Sequence, residues 1–155
     1  MFHNRVWEFM RGTGWRLPAI LVLGGTLAAC VPGPDDAGEY RQAVFSAMAW
    51  HFQTLGAMVG EDKEFDSETF ERKADTVATL AKLPWEGFEE GGPEGSDAKA
   101  EIWDEWDDFR EKADRLEEES AKLAEVAADE DREAIAEQFQ ATRSSCQDCH
   151  DRFRH

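Results

Sequence analysis

The chain has 155 residues, the usual length of one domain with a single hydrophobic core. Its 34 Asp and Glu residues, against 17 Lys and Arg residues, give a formal net charge of −17 at pH 7. Phosphate groups repel a chain this acidic, so the charge excludes nucleic acid as a partner and direct binding to anionic lipid head groups. We expect a protein partner to present a basic surface, and the charge also favours solubility.

Residues 1–29 have the pattern of a bacterial secretory signal. Three arginines precede an apolar run at residues 17–23, which is too short to span a membrane as a helix. The tetrapeptide Leu-Ala-Ala-Cys that ends at Cys30 resembles a lipobox, in which the cysteine becomes the lipidated first residue of the mature chain. The sequence therefore predicts a periplasmic protein that reaches a membrane only through a lipid anchor on Cys30. An ordinary cleavage site near Ala29 is the alternative.

A tether and two helices follow the signal. Residues 30–38 contain two Pro, two Gly and two Asp, which indicates a flexible tether before a domain at residues 39–155. A helix is predicted from about Glu39 to Gly60, because positions 44, 45, 48, 52, 55 and 59 form one apolar stripe. A second helix is predicted from residue 66 or 67 to about residue 83, where Pro84 ends it.

Two residues of the first helix depart from a simple amphipathic pattern. Arg41 lies on the apolar stripe, one turn before Phe45, so its cation points towards the core. It needs an anionic partner there, unless the side chain reaches solvent at the helix end. Trp50 lies outside the stripe on the opposite flank, which indicates a contact with a second subunit. We therefore expect a homodimer.

The rest of the domain is predicted to be one long loop and two further helices. The loop at residues 85–100 is rich in Gly and acidic residues, and its Trp85 and Phe88 can cover the edge of a cofactor. A purely solvated connection is the alternative. A third helix is predicted over residues 101–128 and a fourth from residue 131, with apolar residues at alternating spacings of four and three. No segment alternates like a strand, so the predicted fold class is all-α, an antiparallel up-down four-helix bundle.

The clearest motif is Cys146-Gln147-Asp148-Cys149-His150 on the fourth helix. Two thiols three residues apart can each add to a haem vinyl group, and the adjacent imidazole can bind the iron. The alternatives are a CxxC redox pair, which belongs near a βαβ pattern, and half of a zinc site, which needs two more ligands. The sequence therefore predicts one covalently attached haem c inside the bundle. Its propionates are candidate partners for Arg41.

Several groups of residues, in this order and spacing, resemble cytochrome c′, the class II c-type cytochromes. These groups are Tyr40-Arg41-Gln42, Leu83-Pro84-Trp85, Asp97 before Glu101-Ile102-Trp103, and Cys146 to His150 followed by Arg154. The resemblance covers residues 37–154. It implies a four-helix bundle with the haem attached near the C-terminal end of the last helix.

The resemblance also implies where individual residues lie relative to the haem. They are Cys146 and Cys149 at the thioethers, His150 as the proximal iron ligand, Arg41 and Gln42 beside the propionates, Asp97 in the loop at the haem edge, and Arg154 close to the proximal imidazole. For Asp97 the alternative is a role in starting the third helix.

Residue 45, the fifth after Tyr40, determines whether the iron has a second protein ligand. The resemblance implies that low-spin relatives have a methionine at this position, which binds the iron. In cytochrome c′ itself it implies an apolar residue, which blocks that side of the iron. Phe45 has no donor atom, so we expect a five-coordinate, high-spin iron with a crowded apolar face. Met48 on the same stripe and, more remotely, Met58 or His51 are alternative ligands, although a methionine in such a stripe is usually core.

These expectations together describe a protein that binds small uncharged gases. Nitric oxide is the expected ligand, with carbon monoxide a second, and sequestration of nitric oxide is the expected role. The sequence contains no evident acid, base or nucleophile constellation, so no enzymatic activity is predicted. The alternative is a low-spin electron carrier with a Met sixth ligand, whose redox partner would present a basic surface.

Overall fold

The computed structural model of the chain describes residues 37–89, 91–129 and 131–155. The predicted signal, Cys30 and most of the predicted tether lie outside the described residues. The helices are α1 (Ala37–Val59), α2 (Ser67–Leu80), α3 (Glu86–Glu89), α4 (Glu101–Asp104), α5 (Trp106–Ala128) and α6 (Arg132–Phe153). Within this part of the chain, β-type pairing is confined to one antiparallel bridge between Ala98 and Arg154.

Four of these helices, α1, α2, α5 and α6, form the bundle. α2 packs against α1 and α5, and α5 packs against α2 and α6. The packing of α1 against α6, which completes the ring, is sparser and leaves room for a cavity. The arrangement confirms the predicted all-α four-helix bundle. None of the helices in the described ranges is long and apolar enough to cross a bilayer.

Aspartate caps define the starts of α2 and α6. The Asp66 carboxylate accepts a hydrogen bond from the backbone N–H of Thr69 at 2.8 Å. The Asp131 carboxylate accepts from the backbone N–H groups of Glu133 and Ala134 at 3.0 and 3.2 Å. Each cap satisfies backbone donors that have no partner within the helix, and such caps typically stabilise a helix by about 1 kcal/mol.

The structure differs from the prediction at two helix boundaries. α2 ends at Leu80 instead of near residue 83, because helical backbone is disfavoured before Pro84 and the final turn tightens, with the N–H of Leu83 donating to the carbonyl of Leu80. The predicted third helix is divided into α4 and α5 at Glu105, whose φ of −120° and ψ of 43° lie outside the helical region. The prediction of one continuous helix is wrong here. No Pro or Gly marks the break, and Glu105 forms an ion pair with Arg152 of α6.

The apolar stripe of α1 faces the core largely as predicted. Its buried members are Val44, Met48 and Leu55. Near the end of α1 the burial moves by one position, since Met58 is buried and Val59 only partly. Phe45 and Phe52 also remain partly exposed, because both border the cavity between α1 and α6.

Candidate functional site

A cavity of about 460 Å³ lies between α1 and α6, and parts of α2, α3, α5 and the 96–98 segment complete its walls. All nine residues predicted to contact the haem line this one cavity. They are Arg41, Gln42, Phe45, Trp85, Asp97, Cys146, Cys149, His150 and Arg154. Met48, the first alternative iron ligand, lines it as well. The bundle therefore brings together residues that lie more than a hundred positions apart in the sequence.

The α6 wall carries two thiols and an imidazole. Cys146, Cys149 and His150 share one side of the helix because spacings of three and four bring side chains together. Burial raises the pKa of both thiols to about 11, so both are neutral. Partial loss of hydration lowers the pKa of His150, and the Arg154 cation lowers it further. A neutral imidazole keeps a nitrogen lone pair available for a metal.

The α1 wall is aromatic around Phe45. The Phe45 ring meets the Trp85 ring edge-on at a centroid distance of 5.9 Å and the Phe88 ring at 6.4 Å. These contacts hold Phe45 against the cavity, and none of the three side chains supplies a ligand for iron. Met48, which is 7% exposed, supplies the only thioether among the residues that line the cavity.

The two remoter alternative ligands face away from the cavity. The His51 ring lies 4.8 Å from the exposed Trp50 ring, and loss of hydration together with the nearby Lys73 lowers the pKa of His51. Met58 is buried in the core of the bundle. Neither residue lines the cavity, so neither is placed to bind an iron there.

Arg41 is buried rather than extended to solvent, with 1% of its surface exposed. Its guanidinium donates to the carbonyl oxygens of Gly87 and Gly92, both at 2.7 Å, and to the hydroxyl oxygen of Ser96 at 3.0 Å. Burial lowers the pKa of Arg41, and the nearby Glu94 carboxylate opposes that shift. The burial of this cation is therefore supported by oxygen atoms of Gly87, Gly92 and Ser96.

Asp97 and Arg154 pair with each other at the cavity edge. Their side chains form an ion pair at 3.0 Å, although both are more than half exposed. The backbone N–H of His155 also donates to the carbonyl of Asp97 at 3.0 Å. The alternative role for Asp97 is not observed, since the N-cap of α4 is Ala100 and makes no side-chain cap bond. Asp97 thus ties the loop to the end of α6, one turn beyond His150.

Sequence reasoning missed two cations in the cavity wall, Lys112 and Arg143. Helical spacing could have revealed both, because residues three positions apart lie on the same side of a helix. Arg143 precedes Cys146 by three positions, and Lys112 follows Phe109 by three. The charged residues that line the cavity are four cations, Arg41, Lys112, Arg143 and Arg154, and one carboxylate, Asp97. The wall is therefore net positive, within a chain whose net charge is −17.

These features fit a haem with its carboxylate side chains. The cavity offers two thiols for the vinyl groups, one neutral imidazole for the iron, aromatic rings for the porphyrin faces and a positive wall for the propionates. Thiols and imidazole are contributed by α6, and the aromatic rings mainly by α1, α5 and the segment after α2. The residues present can therefore hold a covalently attached haem.

Comparisons with known proteins agree with this site. Residues 36–154 match the family described as Cytochrome C'. The cytochrome c' of Halomonas halodenitrificans is 41% identical over 128 residues, which span 78% of this chain and 97% of the relative. The structure of cytochrome c prime from Shewanella frigidimarina superposes with a TM-score of 0.75 at 38% identity and covers 80% of this chain and 98% of its own.

A third comparison concerns a structure with a bound gas. The nitric oxide complex of a variant of cytochrome c prime from Alcaligenes xylosoxidans has a TM-score of 0.72 at 30% identity, and covers 80% of this chain and 97% of its own. The match spans the described helices, the attachment motif and nearly the full length of each relative. The chain therefore belongs to the cytochrome c′ family, the four-helix-bundle proteins that carry one covalently attached haem c.

Proposed function

We propose that this chain is an exported gas-binding cytochrome c′ that sequesters nitric oxide and also binds carbon monoxide. Cys146 and Cys149 hold the haem through thioethers, and His150 is the proximal iron ligand. When bound, a haem would supply an iron able to bind a small gas at a coordination position for which Phe45 provides no ligand. The observation that carries the proposal is that α1 presents Phe45, a side chain without a donor atom, to the cavity whose α6 wall carries His150.

The other lining residues have supporting roles in this proposal. Gln42, Arg154 and the other cations of the wall offset the negative charge of the propionates, and Asp97 holds Arg154 in place at the cavity edge. Trp85 and Phe88 pack around Phe45 and keep water away from the open face. An apolar enclosure favours small uncharged ligands over ions, because an ion would lose its hydration without compensation.

The related nitric oxide complex supports the choice of ligand. The proposed role is to bind the gas rather than to convert it.

Absorption spectra of the purified haem protein test this proposal. The ferric protein should show a high-spin spectrum, and the reduced protein should form stable complexes with carbon monoxide and nitric oxide. A low-spin ferric spectrum that carbon monoxide leaves unchanged after reduction would exclude the open coordination position.

A second function, electron transfer by a low-spin haem, rests on Met48. This residue is buried and lines the cavity, so its thioether could serve as a sixth ligand. A Met48→Leu variant separates the two functions. It should leave the spectrum unchanged if the iron is five-coordinate, and should convert a low-spin spectrum to high-spin if Met48 binds the iron. In the second case a redox partner with a basic surface becomes the expected partner.

Export and lipid attachment are part of the same proposal. Periplasmic location would follow from the signal at residues 1–29, and membrane attachment from a lipid on Cys30. A Cys30→Ala variant should move from the membrane fraction to the soluble periplasmic fraction, while its haem content stays the same. A variant that remains in the membrane fraction would show that Cys30 is not the anchor.

We also propose a homodimer in which Trp50 is buried. Trp50 is 63% exposed and lies 4.3 Å from the ammonium group of Lys73, so α1 and α2 present an aromatic side chain on their outer surface. Sedimentation of the wild type and of a Trp50→Asp variant tests this arrangement. A dimer that the substitution converts to a monomer is expected, and equal sedimentation of the two proteins would contradict it.

A further inference from the structure

Arg41 is the one cation among the described residues that is completely buried. Its three hydrogen bonds go to Gly87, Gly92 and Ser96, so a single side chain of α1 spans ten residues of the loop between α2 and α4. Gly87 lies in α3, whereas Gly92 and Ser96 lie in the segment between α3 and α4, whose described residues form no helix. Charge-assisted hydrogen bonds of this kind are stronger than those between neutral groups.

The loop approaches α1 as closely as glycine allows. A Cβ atom on Gly38 would overlap the carbonyl oxygen of Glu94. A Cβ atom on Gly87 would come within 2.9 Å of the Cγ atom of Arg41, and one on Gly91 within 2.8 Å of the Cβ atom of Ala37. Such distances are shorter than ordinary packing contacts, so the three glycines permit the approach that the guanidinium then holds.

Phe88 connects this arrangement to the cavity. Arg41 bonds the carbonyl of the preceding Gly87, and its guanidinium carbon lies 4.5 Å from the Phe88 ring centroid. The indole N–H of Trp103 donates to the carbonyl of Phe88 at 3.0 Å. The Phe88 backbone is therefore held from both sides, and its ring packs against Phe45.

We infer that Arg41 is a positioning residue that fastens the 87–96 loop to α1, and thereby fixes Phe88 against Phe45 and limits access of gases to the open face of the cavity. Only the last step of this inference, the limit on access of gases, rests on the proposed function. The hydrogen bonds to the loop carry this inference, and the predicted place of Arg41 beside the propionates stays a separate prediction.

The test uses the intact haem protein and three variants. Arg41→Met removes the guanidinium, Arg41→Lys keeps the charge but loses the planar set of donors, and Ser96→Ala removes one of the three acceptors. Arg110→Met is the matched control. Arg110 also lies over an aromatic ring of this cluster, 5.8 Å from Trp85, but its ion pair is with Asp114 on the outside of α5.

Two measurements report the two halves of the inference. Hydrogen exchange of the backbone amides at residues 86–98 reports how firmly the loop is held. In Arg41→Met and Arg41→Lys it should become faster by about tenfold or more, and in Ser96→Ala by a smaller factor. Association of carbon monoxide with the reduced protein should become faster in the same order, while in Ser96→Ala its dissociation rate and the ferric spin state stay unchanged. Arg110→Met should match the wild type in every measurement.

Loop exchange at the wild-type rate in Arg41→Met would overturn the inference. If that variant does not fold with haem, wild-type loop exchange in both Arg41→Lys and Ser96→Ala would overturn it instead. Faster loop exchange with an unchanged association rate would overturn the access step. A wild-type protein that does not bind carbon monoxide would contradict the proposed function, whereas the exchange comparison would still test whether Arg41 holds the loop.

Discussion

The two main walls of the cavity are built in different ways. The α6 wall places Cys146, Cys149 and His150 on one regular helix, so their positions follow from helical spacing alone. The opposite wall combines α1 with a loop that has little regular structure, and a buried Arg41 with several glycines brings them together. In the proposed function, the first wall supplies the atoms that attach the cofactor, and the second limits what can reach it. Attachment and ligand selection can therefore be altered separately.

Removing the α6 thiols should have the largest effect. A Cys146→Ala, Cys149→Ala double variant lacks both thioether bonds, so we expect complete loss of covalent haem. Mass spectrometry of the denatured protein measures this directly, and Cys30→Ala is the control that should keep the full haem mass. Covalent haem in the double variant would show that attachment occurs elsewhere.

Changing Phe45 should alter the iron without affecting attachment. A Phe45→Met variant places a thioether where the aromatic ring now lies, so we expect most of the ferric iron to become low-spin. The matched control is Phe52→Met, two turns further along α1, which also lines the cavity but packs on Phe139 at 4.5 Å. That control should stay high-spin. Identical spectra for Phe45→Met and the wild type would show that Phe45 does not lie over the iron.

Adding a methyl group at Gly38 should destabilise the packing of α1 against the loop. Its Cβ atom would overlap the Glu94 carbonyl oxygen, which is backbone and cannot move without the loop. We expect Gly38→Ala to lower the free energy of unfolding by about 2 kcal/mol, as overpacking does elsewhere. The control is Gly56→Ala in the same helix, where the nearest atom, 3.1 Å away, belongs to the Phe139 side chain. Chemical denaturation that finds equal stabilities for the two variants would contradict the close approach.

The smallest expected effect concerns Tyr40, at the edge of the same wall. Its hydroxyl donates to the Glu86 carboxylate at 2.7 Å, and this hydrogen bond is the main reason why the pKa of Tyr40 is raised to about 12. The folded protein keeps the phenolic proton more firmly than the unfolded chain. The stabilisation is therefore present up to about pH 10 and is lost as the pH rises towards 12. In denaturation measured as a function of pH, a Tyr40→Phe variant should not show this loss of stability between pH 10 and 12.

Tyr40 is the only tyrosine of the chain, so its titration can be followed without interference from others. A phenol that titrates near the ordinary pKa in NMR of ring-labelled protein would contradict the observed hydrogen bond.

Much of the bundle and the attachment residues of the α6 wall could be predicted from the sequence, because helical periodicity, capping and the spacing of Cys146, Cys149 and His150 are local properties. The partners of Arg41 could not be predicted, since they are two backbone carbonyls and the Ser96 hydroxyl, whose positions depend on the path of the loop. The break at Glu105 has no Pro or Gly signal either, and the residue pairs with Arg152, which is distant in the sequence.

At the cavity edge, the family resemblance predicted residues that helical periodicity could not predict. It placed Asp97 and Arg154 near the haem, and the structure shows that they pair with each other. Lys112 and Arg143 were missed, although each lies three positions from a residue of the cavity wall, because the apolar pattern assigns charged residues to the outer faces of these helices.

The most direct test of the difference between the two walls is the electron paramagnetic resonance spectrum of the ferric haem protein. If α6 provides the only protein ligand and Phe45 leaves the other face open, the spectrum will be high-spin, and it will become low-spin in Phe45→Met. A wild-type protein that is already low-spin would contradict the account, because a ligand such as Met48 would then occupy the face that the α1 wall is proposed to leave free.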